Sequence, residues 1–210
     1  QPSVTKSGDN TVVSMKLKFS ETEYLEYRYE LKPDDYMIDF SIKSQGLSGV
    51  FNTSQPITLD WKQKGIRHAK SISYENRYTR LTYMHEEDRV EKLSQMGDDE
   101  ETVEDVEWLS YRQHFFSSIL VANDKPFSKA ELTSQNLVED EEVDSLYTKL
   151  YTSKMPLAYN GGEVSKSLGL YYGPTDAKVL KAYDKNLQES IPFGWGIFGW
   201  INKALFIPLF

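Results

Sequence analysis

Cysteine is absent from the 210 residues, which excludes disulfides and thiol-ligated zinc. It leaves the compartment open, because exported domains often do without it. A surplus of positive charge is missing too: 24 Lys and Arg face 32 Asp and Glu, for a net charge of -8. No basic stripe of the kind nucleic-acid binding requires is present. Anionic phospholipid repels such a surface, so any membrane contact has to be apolar and local. His68, His85 and His114 are the only histidines, and they lack metal-ligand spacing. No serine sits in a G-x-S-x-G elbow, and no D-x-[DN]-x-[DN]-G calcium loop occurs. Gly161-Gly162 is turn chemistry without a phosphate cradle around it. Asn52-Thr53-Ser54 matches a glycosylation acceptor that matters only in a host with that machinery. Carboxylates are too common for any pair to single out a glycosidase. No residues converge on a reaction, so the expectation is a non-enzyme without metal or cofactor. The opening Gln1-Pro2-Ser3 is polar. If the protein is exported, its targeting segment lies outside this sequence.

What is present favours sheet. Tyrosine occurs 14 times and 39% of residues are hydrophobic, enough to fill the core of one sizeable β-domain or two small ones. Val13, Met15, Leu17 and Phe19 alternate with Ser14, Lys16 and Lys18, the period of a strand with one wet face. Leu25, Tyr27, Tyr29 and Leu31 repeat the pattern, as do Tyr36, Ile38, Phe40 and Ile42. Lys32-Pro33-Asp34-Asp35 supplies the turn between them. Further strands are expected over residues 57–63, 77–83, 111–122, 130–135, 147–153 and 165–172. Many short strands separated by turns imply a sandwich. The acidic stretch Glu86 to Glu107, with the run Asp98-Asp99-Glu100-Glu101, and the cluster Glu139-Asp140-Glu141-Glu142 are expected as solvated, mobile loops.

One α-helix is expected late. Thr175 is its N-cap after Pro174, and Asp176 complements the dipole in the first turn. Val179, Leu180, Tyr183 and Leu187 share one face, by which the helix docks on the sandwich. Gly173-Pro174 and Ile191-Pro192 make the corners around it.

The carboxyl end differs in kind. PFGWGIFGWINKALFIPLF, residues 192–210, carries one charge, Lys203, and is too short and too rich in Gly and Pro for a secure membrane span. Wound as a helix from Gly196, it gathers Ile197, Phe198, Trp200, Ile201, Ala204 and Leu205 on one side. Trp195 and Trp200 suit the headgroup level. Trp195, Phe198, Trp200, Ile201 and Leu205 are therefore the expected membrane-interface residues, in a helix lying in the plane of the interface. The alternative is that the segment packs on its own sandwich. The final Leu209-Phe210 fits a chain that continues into a transmembrane segment.

Three places carry a family resemblance. Leu31-Lys32-Pro33-Asp34-Asp35-Tyr36 looks like an L-K-x-x-D-Y hairpin, and Trp108, Gln113, Phe115 and Phe116 resemble a W-x-x-x-x-Q-x-aromatic-F strand. Tyr172-Gly173-Pro174, the helix with Leu180, and Phe193-Gly194-Trp195 before the apolar end are similar to a Y-x-G-P helix and Y-G-W turn. Together they resemble the large periplasmic domain of the YidC membrane-protein insertase family. The resemblance implies an all-β fold, a galactose-mutarotase-like β-supersandwich with a carboxyl-terminal α-helical linker. Residues 1–172 would be the sandwich, 173–190 the docked helix and 191–210 the interfacial segment before a transmembrane helix. Tyr172, Gly173, Pro174, Val179, Leu180, Tyr183 and Leu187 would seat the linker. It further implies the periplasmic face of the bacterial inner membrane and a non-catalytic role in scaffolding and partner docking. The implied partners are the lipid surface, Sec translocon subunits (SecDF, SecYEG) and nascent membrane proteins. The family's groove arginine belongs to a transmembrane bundle that this sequence does not include. Upstream strands would also be missing, leaving edges able to pair between chains. The rival expectation, which that fold allows, is a carbohydrate-binding or mutarotase-like envelope module using exposed tyrosines.

Overall fold

Alternating side chains become a sheet when one face finds a partner, and here most of them do. The computed structural model describes residues 2–192. In chain order these form β1 (Ser3–Ser7), β2 (Asn10–Lys18), β3 (Tyr24–Leu31), β4 (Met37–Gln45), β5 (Ile57–Ile66), α1 (Ile72–Tyr78), β6 (Arg80–His85) and β7 (Arg89–Lys92). There follow β8 (Asp99–Arg112), β9 (Phe116–Ala122), β10 (Phe127–Asn136), β11 (Tyr147–Leu157), β12 (Tyr159–Asn160), β13 (Glu163–Pro174), α2 (Ala177–Lys181) and a 3-10 turn over Leu187–Ser190. The main path runs β1-β2-β3-β4-β13-β9-β8-β10-β11-β5, with β6 on β8 and β7 on β6. The fold is all-β and antiparallel, as the alternation implies.

The long strand β8 turns the sheet back on itself. Its first half pairs with β10 and its second half with β6 and β9. Leu81, Leu109 and Leu120 therefore meet Leu132, Tyr151 and Met155 in one core. Each such buried side chain contributes about 1.5–3 kcal/mol. Tyr111 ties the halves together: it stacks on Trp61 at 4.0 Å and on Tyr151 at 4.9 Å, and its hydroxyl donates to Ser153 Oγ at 2.6 Å.

Several local expectations differ from what forms. The strand expected over 77–83 begins only at Arg80, because Ser71 caps α1 by accepting from the Tyr74 amide at 3.1 Å. Glu75 anchors that helix inside the domain, accepting from the amides of His68, Ala69 and His114 at 2.6–3.0 Å. The stretch 111–122 is not one strand; residues 113–115 turn between β8 and β9.

The acidic stretch 86–107 is ordered strand for most of its length, as β7 and the first half of β8. Val103 and Val106 face the core, while Glu104 lies against Lys129 across the ladder. Two core positions three residues apart, with Asp105 at positive φ between them, thus hide inside a run whose exposed positions are mostly carboxylates. The cluster 139–142 does remain in a loop.

In β2 the apolar face is only half used. Val13, Met15 and Leu17 lie opposite Tyr29, Tyr27 and Leu25, which pack on the core's margin. Leu17 itself is 62% exposed and Phe19 57%, because no part of the opposite layer reaches this far.

Candidate linker-docking site

Two faces of the sheet diverge in chemistry, and strand register assigns them. Met84, Trp108 and Val121 are directly opposed on β6, β8 and β9, and Ile119 faces Tyr171 on β13. Together with Met37 they form a second apolar cluster on the outer face, away from the main core. This patch is where the chain after β13 comes to rest.

The approach is tightly built. β13 runs through Gly173 to Pro174, past the boundary expected at residue 172. A Cβ on Gly173 would lie 2.7 Å from the Tyr171 ring and 2.8 Å from Tyr36 Cγ, so only glycine fits between the two tyrosines. Tyr171 donates its hydroxyl to the Pro174 carbonyl at 2.7 Å. The Thr175 amide then donates to the Phe115 carbonyl at 2.8 Å, and its Oγ1 lies 2.9 Å from Ser117 Oγ.

Asp176, rather than Thr175, is the N-cap, since Thr175 is already engaged with the turn after β8. One Asp176 carboxylate oxygen accepts from the amides of Lys178 and Val179 at 2.8 and 2.9 Å. A cap of this kind contributes about 1 kcal/mol. The helix it starts is only Ala177–Lys181, shorter than the stripe predicted. The helix ends at Lys181 with Ala182 as its C-cap; Asp184 and Asn186, both with positive φ, then reverse the chain, so Leu187 returns on a separate 3-10 turn.

Leu180 and Leu187 are both 0% exposed in the outer cluster, with Val179, Tyr183 and Ile191 packed against it. Tyr183 donates to Asp35 Oδ1 at 2.7 Å and meets Tyr171 edge-on at 5.6 Å. Burial, and then the bond to Asp35, push the Tyr183 hydroxyl up to about 12. Asn186 Nδ2 donates to Asp88 in the β6–β7 turn at 2.9 Å. That turn holds Glu86, Glu87 and Asp88 all at positive φ.

The three sequence motifs converge here. Asp35 and Tyr36 come from the first, Trp108 and the backbone carbonyls of Gln113 and Phe115 from the second, and Gly173, Pro174 and Leu180 from the third, whose Phe193-Gly194-Trp195 lies outside the described residues. Tyr172 is the exception. The period of the strand turns it to the inner face, where it is 47% exposed and faces the Trp61 and Tyr29 side. It does not belong to the seat. Trp195, Phe198, Trp200, Ile201 and Leu205 lie outside the described residues.

Sequence reasoning missed a polar continuation of the same outer face. Arg80 lies directly opposite Arg112, Thr82 opposite Ser110, and Lys92 opposite Thr82. Arg112 is 5% exposed, and burial, then the neighbouring Arg80, hold its guanidinium down to about 10. Two arginines 32 residues apart show no spacing signal; only strand register brings them together. The histidines do not converge. His114 stacks on Tyr78, His68 meets Phe116 edge-on, and His85 lies beside Glu91. Among the described residues no cluster able to hold a metal is present.

The sequence matches the YidC periplasmic domain family over residues 1–208. The membrane protein insertase YidC of Parabacteroides distasonis is 34% identical over 98% of this chain, and that of Phocaeicola vulgatus 32% identical over 96%. The chain spans 33% of the length of each of these relatives. Among solved structures, a galactose mutarotase related enzyme from Lactobacillus acidophilus aligns with 81% of this chain and 70% of its own, at 10% identity and a TM-score of 0.38. With the family matched along nearly its whole length and its motifs gathered around one linker seat, this chain belongs to the YidC periplasmic domain family.

Proposed function

We propose that this domain is the non-catalytic periplasmic part of a membrane-protein insertase, and that its outer-face seat fixes the direction in which the chain approaches the bilayer. The observation that carries the reading is the full burial of Leu180 and Leu187 against the strand that bears Trp108. A five-residue helix has no stability of its own, so these contacts hold the linker in place. The apolar segment after Pro192 then starts from a fixed point. Trp195, Phe198, Trp200, Ile201 and Leu205 insert at the headgroup level of the inner membrane, consistent with an acidic domain that meets lipid only through apolar residues. SecDF, SecYEG and nascent membrane proteins are the partners this role involves.

Leu180→Asp in the full-length insertase tests the seat. Insertion of a dependent substrate in a depletion-rescue assay is expected to fall, at equal protein level. Unimpaired insertion would show that the seat is not needed. For the interfacial segment, Trp195 and Trp200 emission is expected to shift to the blue on adding vesicles, and an unmoved spectrum would place these residues away from lipid.

A second reading has one supporting observation. Tyr27 and Tyr29, stacked on Phe40, and the half-exposed Tyr172 line the inner face, a surface on which sugar rings can stack. Glycan-array binding that is lost in Tyr172→Ala would favour a carbohydrate-binding role.

A further inference from the structure

Buried charges in proteins are normally paired, and like charges directly opposite on neighbouring strands are unfavourable. The outer face of β6, β7 and β8 breaks both rules. Arg80 and Arg112 are opposed residues, and Lys92 lies beside Thr82 on the same face. None of the ion pairs among the described residues includes any of the three. Burial, followed by the charges of Arg80 and Arg112, lowers the Lys92 ammonium pKa. Residues 193–210 contain no Asp or Glu, so no side-chain carboxylate from that segment can neutralise them.

The donors are also unspent. Arg80 Nε, Arg112 Nε and Ser110 Oγ are buried without a hydrogen-bond partner. Arg80 spends one terminal nitrogen on Gln95 Oε1 at 2.7 Å, and no side-chain bond of Arg112 is present among the described residues. Arg112 is 5% exposed and the hydroxyl-bearing Ser110 is fully buried. A chain with 32 carboxylates has left this one face without any in its ion pairs.

We propose that Arg80, Lys92 and Arg112, with the Ser110 hydroxyl, form a binding site for a phosphate group. Two guanidinium forks, an ammonium and a hydroxyl match an anion with several oxygens and up to two charges, whereas a carboxylate offers two oxygens and one charge. Opposed strand residues have Cβ atoms about 4.5–5.5 Å apart, close enough for both arginines to reach one tetrahedral anion. The site stands independently of the docking function, since it uses none of the linker's own side chains. The same chemistry is offered by inorganic phosphate and by the headgroup of an anionic phospholipid.

The test uses the 210-residue chain. Calorimetric titration with inorganic phosphate, against chloride at matched ionic strength, is expected to show one site per chain, weakened at least tenfold in Arg80→Gln/Lys92→Gln. Flotation with phosphatidylglycerol vesicles and with phosphatidylcholine vesicles separates the sources. Preference for phosphatidylglycerol that free phosphate abolishes assigns the site to a headgroup. Phosphate binding without that preference assigns it to the free anion. Arg112→Met guards against misreading a misfolded variant: it is expected to raise the thermal midpoint in phosphate-free buffer and to abolish the phosphate response. The proposal is overturned if neither probe binds, if binding is undiminished in the double variant, or if a polyglutamate peptide competes as well as phosphate does.

Discussion

Truncating Leu180 to alanine is the perturbation that most directly measures how the linker is held. Leu180 is 0% exposed among Met37, Met84, Trp108 and Ile119, and a buried Leu→Ala change costs about 2–5 kcal/mol. The helix bearing it has five residues, too few to persist alone, so this cost falls on the attachment of residues 177–191 and not on the sheet. Each 1.4 kcal/mol is a factor of ten, so local opening should become about 30- to 4,000-fold more frequent. Amide hydrogen exchange reads this directly. The amides of Leu180, Ala182 and Ile191, bonded to the carbonyls of Asp176, Val179 and Gln188, should lose protection by that factor. Those of β8 and β9 should keep theirs. Unchanged exchange at 180–191 would refute the claim that Leu180 holds the linker. An equal loss across the whole sheet would refute its being a separately opening unit.

Three further outcomes follow from other positions. Gly173→Ala forces a Cβ to within 2.8 Å of two tyrosine rings and should cost about 1–3 kcal/mol, read as a thermal midpoint lower by several degrees; an unchanged midpoint would mean that the corner relaxes freely. Leu17→Lys, at a site 62% exposed despite its apolar register, should change stability by less than about 0.5 kcal/mol in denaturant titration; a cost near that of a core leucine would mean that β2 is covered. Glu163 is held below the ordinary carboxylate value, first by the Ser44 hydroxyl and then by the amides of Leu47 and Ser48, although desolvation opposes this. A depressed acid contributes stability above its unfolded pKa and loses it as pH falls through the folded value. The gap between wild type and Glu163→Gln should therefore be wide at about pH 6 and narrow at about pH 3, and a pH-independent gap would contradict this.

Most of the sheet was legible because β-strand alternation survives wherever one face is wet. β3, β4, β10, β11 and β13 read directly from their apolar positions. The acidic first half of β8 did not, since most of its exposed positions are Asp and Glu, which mimic a loop. The reverse error occurred in β2, whose alternation looks like a core strand although the opposite layer stops short of Leu17 and Phe19. Periodicity reports that a face is apolar, and says nothing about whether another layer arrives to cover it. The linker shows a third limit. A helical stripe joined Leu180 to Leu187 in sequence, and the structure buries both, but by a short helix, a left-handed reversal at Asp184 and Asn186, and a 3-10 turn. The stripe named the buried residues because burial is what selected them, while the backbone path between them was set by local conformations that leave no periodic trace.

The cation cluster exposes the limit of reasoning from net charge. A chain at -8 repels anions at a distance, which is the argument against a nucleic-acid stripe. It says little about a site a few ångströms wide, because at physiological salt charges beyond about 8–10 Å are screened while groups in contact are not. Arg80 and Arg112 are opposed across a strand pair, and their nearest neighbours on that face are Thr82, Ser110 and Ser117, none of them acidic. The local balance around these two arginines is thus opposite in sign to that of the whole. The free-energy cost of holding it so, visible in the depressed Arg112, is what an oxyanion would relieve. Neutralising the arginine by Arg112→Met should for the same reason stabilise the domain in the absence of phosphate, a gain that a surface arginine would not give.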